Sequence, residues 1–185
     1  MGCIESKFFD VCYRKAHITI NNHNNDIINL NDIDISNVKK FTFDGTITNC
    51  KVIDVISGDS ISVIMNINNQ TNIFNIRMYG YDAPRIRHKS KSNKLISLEG
   101  KFARLELIKL ITSVDEMIHI DTRSHDISNI IKKYNDKIVK IHLMDFDKYD
   151  EIFAKIYLDD KNKFVHELMI ESNIVIPFEV QNESP

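Results

Sequence analysis

The sequence predicts an α+β, mainly β fold: five short strands closed into a Greek-key barrel, with helices packed against it. Three observations predict this. Short runs alternate apolar and polar residues and are rich in β-branched side chains, as half-buried strands are. Clusters of Asn, Asp, Ser and Gly punctuate those runs at hairpin intervals. Two longer stretches change from a period of two to a helical period. With 185 residues, 43% of them apolar, the chain has material for one core plus a tail.

The elements follow in order. Residues 42–56, "TFDGTITNCKVIDVI", read as a first strand and "SGDS" at 57–60 as a turn. "ISVIMNI" at 61–67 is a second strand, "NNQT" at 68–71 a hairpin turn, and "NIFNIRMYGY" at 72–81 a third strand. Pro84 stops it, because proline cannot extend a ladder. From Ser97, a candidate N-cap, "SLEGKFARLELIKLITSV" reads as an amphipathic helix with Leu98, Phe102, Leu105, Ile108 and Ile111 as its apolar stripe. "EMIHID" at 116–121 is a candidate strand, and Ile127, Ile130 and Ile131 pin a short helix within 122–136. Strands are expected at 137–144 and 151–158, joined by "DFDKYD", with a hairpin-like turn at 159–162. "FVHELMIESNIV" at 164–175 reads as a further helix with Asn173 at its C-terminus. Five such strands suit a barrel of the OB type. The expected division is a polar segment at 1–40, the barrel domain at 41–178 and a short tail at 179–185.

Composition narrows the function classes. Net charge is -2 and mean hydropathy -0.24, so attraction to nucleic acid or membrane must come from local patches. No apolar run reaches the ~18 residues of a membrane-spanning helix. Cys3, Cys12 and Cys50 are an odd count without paired spacing, which fits neither a disulfide framework nor a zinc site. Cys50, within a strand, reads as a small buried hydrophobe. The wealth of Asn, Ile and Lys points to an AT-rich genome.

The first residues, MGCIESK, read as an address. Gly2 follows Met1, Ser6 stands where an N-myristoylation signal wants it, and Cys3 is placed for a second acyl chain. The stretch resembles the dual-acylation start of Src-family kinases. Two chains matter physically, because one myristoyl group gives only marginal, reversible membrane binding. The expected location is therefore the cytosolic face of a membrane, with the Asn-rich segment 8–38 as a spacer. His17 and His23 within it read as solvated linker.

Two carboxylates stand at strand ends. Asp59 lies in the first turn and Asp82 ends the third strand. Such a pair can share a hard cation, with the Ala83 carbonyl as one more oxygen; each is also an ordinary turn residue. Arg77 lies five residues before Asp82, on the opposite face of a regular strand, and a bulge near Gly80 brings the two to one side. Arg85, Arg87, Lys89, Lys91 and Lys94 form a basic run without an acid, suited to a phosphate backbone, to anionic lipid, or simply to solvent.

"KVIDVISGDSISVIM", "FNIRMYGYDAPR", "SLEGKFARLELIKLI", "DKYDEIFAKIYL" and "VHELMIESNIV" occur in that order. Together, across about Thr46 to Val175, they resemble the staphylococcal-nuclease-like (thermonuclease) family. The resemblance implies an OB barrel with helices and calcium-dependent hydrolysis of DNA and RNA phosphodiesters. It also implies roles: Asp59 and Asp82 on the calcium ion, Ala83 offering its carbonyl, Arg77 on the phosphate, Lys148 and Tyr149 flanking the nucleotide. Two positions depart from the family. Arg85 stands where the family has the glutamate that activates water, and Glu151 where it has an arginine stabilising the phosphate. The family's terminal helix has no counterpart in the sequence.

These substitutions are reciprocal, and Arg85 and Glu151 are expected to pair across the cleft. His88 or a turned Glu151 is the alternative base. The expectation is thus a membrane-anchored, nuclease-like protein with impaired catalysis, serving as a nucleic-acid-binding, protein-binding or scaffolding module, with a calcium site partly kept. The alternatives are an active calcium-dependent endonuclease at the membrane face, or a viral structural protein docking a membrane.

Overall fold

The computed structural model describes residues 30–86, 97–146 and 151–178. The chain divides into two compact units, Met1–Lys40 and Phe41–Pro185. In the first, two short 3-10 turns, Leu30–Asp32 and Ile35–Asn37, are described. Asp34 caps the second, accepting from the Ser36 amide at 3.0 Å and the Ser36 hydroxyl at 2.8 Å. The Ser36 hydroxyl is the main reason its carboxyl titrates below the usual range.

The second unit is built on β1 (Ile47–Val55), β2 (Ser60–Ile67) and β3 (Gln70–Met78), then β5 (Ile138–Phe146) and β6 (Ile152–Leu158). The sheet runs β3-β2-β1-β5-β6, and β3 then pairs with β6 in parallel, from Ile76 beside Ile152 to Met78 beside Ala154. That last pairing closes a five-stranded mixed barrel, the OB-like α+β fold that the sequence predicts. The period of two fills it: Val52, Ile61, Val63, Ile76, Ile141 and Ile156 are all buried. Cys50 is buried among them, and burial pushes its thiol up to about 12.

Local chemistry sets the corners. Asn68 and Asn69, both at positive φ, make the two-residue turn between β2 and β3 that Asn tolerates best after Gly. Strand β1 bulges between Val52 and Asp54. The carbonyls near the bulge are met by side chains from elsewhere, Asn135 Nδ2 on Val52 at 2.8 Å and Arg104 Nε on Val55.

Among the described residues, three helices pack on the barrel: α1 (Leu98–Ile111), α2 (Ser124–Tyr134) and α3 (Val165–Glu171). The Ser97 hydroxyl accepts from the Gly100 amide at 3.1 Å, so the expected cap forms. The expected stripe of α1 is corrected. Leu98 and Phe102 are exposed, and the buried face carries Gly100, Ala103, Arg104, Leu107, Ile108 and Ile111. Close approach to the barrel selects the small residues: a Cβ on Gly58 would lie 2.6 Å from that of Ala103. Residues 116–121 hold no strand; Asp115–Met117 is a 3-10 turn, and Ile118 is buried on its own rather than in alternation. Helix α2 is pinned by Ile127 and Ile131, with Ile130 partly buried. Helix α3 stops at Glu171, and Asn173 takes a positive φ of 58° just beyond it.

The third strand also differs from the expectation. β3 stops at Met78; Gly80, at φ 94°, breaks the ladder, and Tyr81–Asp82 form a separate short strand, β4. It pairs with Ile176–Pro177, here β8, the two-residue β7 at Lys163–Phe164 lying between α2 and α3 in the chain after β6.

Candidate functional site

The turn between β1 and β2, the end of β3, β4 and the start of β6 meet at one mouth of the barrel. The Asp59 carbonyl accepts from the Met78 amide at 2.8 Å, which ties the turn to β3. The buried Tyr81 hydroxyl donates to the Gly58 carbonyl at 2.9 Å and ties it to β4. Burial, and then the Asp59 charge, raise the Tyr81 pKa well above its ordinary value, so this donor stays protonated.

Arg77 is the hub. Its Nη2 donates to Asp82 Oδ1 at 2.5 Å and lies 3.8 Å from Asp59 Oδ2; its Nη1 lies 4.0 Å from Glu151 Oε2. Gly80 makes this possible by reversing the alternation between Arg77 and Asp82, as a bulge there would. Burial alone would lower the Arg77 pKa, but the Asp82 hydrogen bond and the three carboxylate charges outweigh it and hold it above its ordinary value. Arg77 Nε is buried without a described partner. Asp59 is further held by the Ser57 hydroxyl at 2.7 Å and the Ala83 amide at 3.3 Å.

The sequence-predicted residues Asp59, Arg77, Asp82, Ala83 and Glu151 are therefore brought together. Arg85 lines the same cleft but is exposed, and its expected partnership with Glu151 is not formed: no ion pair joins them. The parallel register explains this. Phe153 lies beside Arg77, and Glu151, two residues earlier on the same face, reaches Arg77 diagonally at 4.0 Å, while Arg85 follows β4 and Pro84. Lys148, Tyr149, His88, Arg87, Lys89, Lys91, Lys94, Gly2 and Cys3 lie outside the described residues.

Pattern reading missed the opposite wall. The cleft, of about 740 Å³, is also lined by Asp54, Arg104, Ser124, His125 and Ser128. Arg104 is buried; its Nη1 donates to Ser124 Oγ at 2.9 Å, and its Nη2 lies 3.7 Å from Asp54. Ser128 Oγ donates to the other side of this link, Asp54 Oδ1, at 2.8 Å. The available signal was an arginine on the small-residue face of α1, between Ala103 and Leu107.

Chemically, the mouth is three carboxylates gathered on one guanidinium. Arg77 faces the oxygens of Asp59 and Asp82 that a hard cation would take. Among the described residues, no group of three or more His, Cys, Asp and Glu is disposed to hold one. No helix among them is long and apolar enough to cross a membrane. No family model matches the chain, and no curated protein matches it.

Proposed function

We propose that this chain is a nuclease-like OB module that binds rather than cuts, held at a membrane through Gly2 and Cys3. One observation carries the reading. The candidate phosphate-holding group, Arg77, is engaged by Asp82, Asp59 and Glu151, while Arg85 lines the cleft where the resembled family places its base. Arginine cannot accept a proton at neutral pH. A carboxylate beside a phosphoryl group in its transition state opposes the charge that a cation would stabilise. Losses of such groups typically cost orders of magnitude in rate.

The acylation half of the reading rests on the residues MGCIES alone. The second reading, an active calcium-dependent nuclease, draws support from Asp59, Arg77 and Asp82 sharing one mouth.

The test is digestion of single-stranded DNA by the full chain, in calcium and in chelator, beside Asp82→Ala. No cutting, with salt-sensitive retention of the oligonucleotide, is expected. Calcium-dependent cutting that Asp82→Ala abolishes overturns the proposal. Membrane partitioning of the chain expressed in cells that myristoylate, against Gly2→Ala, tests the tether; equal partitioning rejects it.

A further inference from the structure

A second cavity, of about 460 Å³, opens between α1, the segment 118–123 and α2. It adjoins the charged cleft and shares only Ile86, Arg104, Ser124 and His125 with it. Its size lies within the ~300–1,000 Å³ of small-molecule pockets. Nothing in the reading of the carboxylate mouth uses it.

Six aliphatic side chains line it, Ile86, Leu105, Ile108, Ile118, Ile120 and Ile127, beside His119, Thr122, Ser124 and His125. Ile108, Ile118 and Ile127 are buried, so the floor is part of the core. Branched aliphatic side chains on the floor suit a saturated chain. The rim has the opposite character. Lys101 and Arg123 stand there with one lining carboxylate, Asp121, and Asp126 holds Arg123 at 2.7 Å; Arg104, also in the lining, is buried and lies 3.7 Å from Asp54. Asp121 is held by Lys101 at 3.5 Å, and Arg123 and Asp121 are almost fully exposed, so a head group at the rim meets solvent. An aliphatic floor with basic side chains at its rim suits a molecule with an aliphatic body and an anionic head that can compete for Lys101 and Arg123 with Asp121 and Asp126.

We infer that this cavity is a binding site for a free fatty carboxylate, its chain between α1 and α2 and its head beside Lys101 and Arg123. The site stands apart from the carboxylate mouth, and it does not depend on whether that mouth cuts or binds nucleic acid.

The experiment is calorimetric titration of the full, non-acylated chain with laurate, below the concentration at which laurate forms micelles. Saturable binding of one laurate per chain is expected. A chain two methylenes shorter should bind about 15-fold more weakly, from ~0.8 kcal/mol per buried CH₂. Dodecylammonium, with the same chain and a cationic head, should bind at least about tenfold more weakly, as should laurate to Lys101→Glu. Leu105→Trp fills the cavity and should abolish binding; Lys101→Glu, at a partly exposed position, decides the matter should Leu105→Trp not fold. Asp82→Ala should bind laurate as the unaltered chain does, which separates this site from the mouth. No saturable binding, equal binding of the cationic amphiphile, or unchanged affinity in Lys101→Glu overturns the inference.

Discussion

Replacing Asp82 by Asn separates a restrained binding site from an enzyme. In the structure Asp82 is the tightest partner of Arg77, at 2.5 Å, with Asp59 and Glu151 at 3.8 and 4.0 Å. A hydrogen bond between charged groups contributes ~1.5–3 kcal/mol. The Asp82 side chain is 55% exposed, so water screens the pair and the net restraint is about 1–2 kcal/mol. Releasing Arg77 should therefore tighten binding of a short single-stranded oligonucleotide about 5–30-fold. The assay is fluorescence anisotropy in chelator across a salt series. One new phosphate contact should steepen the slope of log K against log salt by ~0.7. Glu151→Gln removes a carboxylate 4.0 Å from Arg77, a longer contact than that of Asp82, and should gain only about twofold. Weaker binding by Asp82→Asn, or an unchanged slope, would refute the view that the carboxylates restrain Arg77.

Gly58→Ala would put a Cβ 2.6 Å from the Ala103 Cβ and 2.7 Å from the Ala83 Cβ. Such overpacking should cost about 1–3 kcal/mol and lower Tm by several degrees, read by thermal circular dichroism; an unchanged Tm would show that α1 does not abut this turn. Cys50, with its thiol pushed up to about 12, should resist iodoacetamide at pH 8 in the folded chain and react once denatured, as peptide mapping can show apart from Cys3 and Cys12. His166 has its pKa lowered by burial and then by Lys155, against Glu167, and its Nδ1 is buried without a described partner. A lowered histidine pKa favours the neutral ring in the fold. Its contribution is therefore complete above the unfolded value near ~6.5 and is lost as pH falls from there through the folded value. Tm should drop between pH 7 and pH 5, and His166→Gln should flatten that drop; an equal drop in the variant would remove His166 from the account.

The barrel was legible because its signal is local. Alternation in "ISVIMNI" and "EIFAKIYL" places one side of each strand in water and the other in the core whatever the partner strand is. Asn68–Asn69 and Ser97 likewise act within a few residues of themselves. The stripe of α1 was misjudged for the converse reason. Leu98 and Phe102 are apolar, yet Ala103 had to face the close approach at Gly58, and Gly100 the backbone of Arg85 and Ile86. Residues 116–121 carry β-like composition, but no described strand pairs with them.

By itself, the sequence determined which chemistry is present: Asp59 and Asp82 at strand ends, Arg77 five residues before Asp82, and an arginine after the Asp-Ala-Pro step. Only the tertiary structure decided how those charges are spent. The parallel pairing of β3 with β6 brings Glu151 to Arg77 and leaves Arg85 in solvent, so the expected reciprocal pair gives way to three carboxylates on one guanidinium. It also decided the aliphatic cavity between α1 and α2, which no run of the sequence announces. Periodicity is written along a chain, whereas charge pairing and cavities depend on distances between residues remote in it, and closure of the barrel sets those distances.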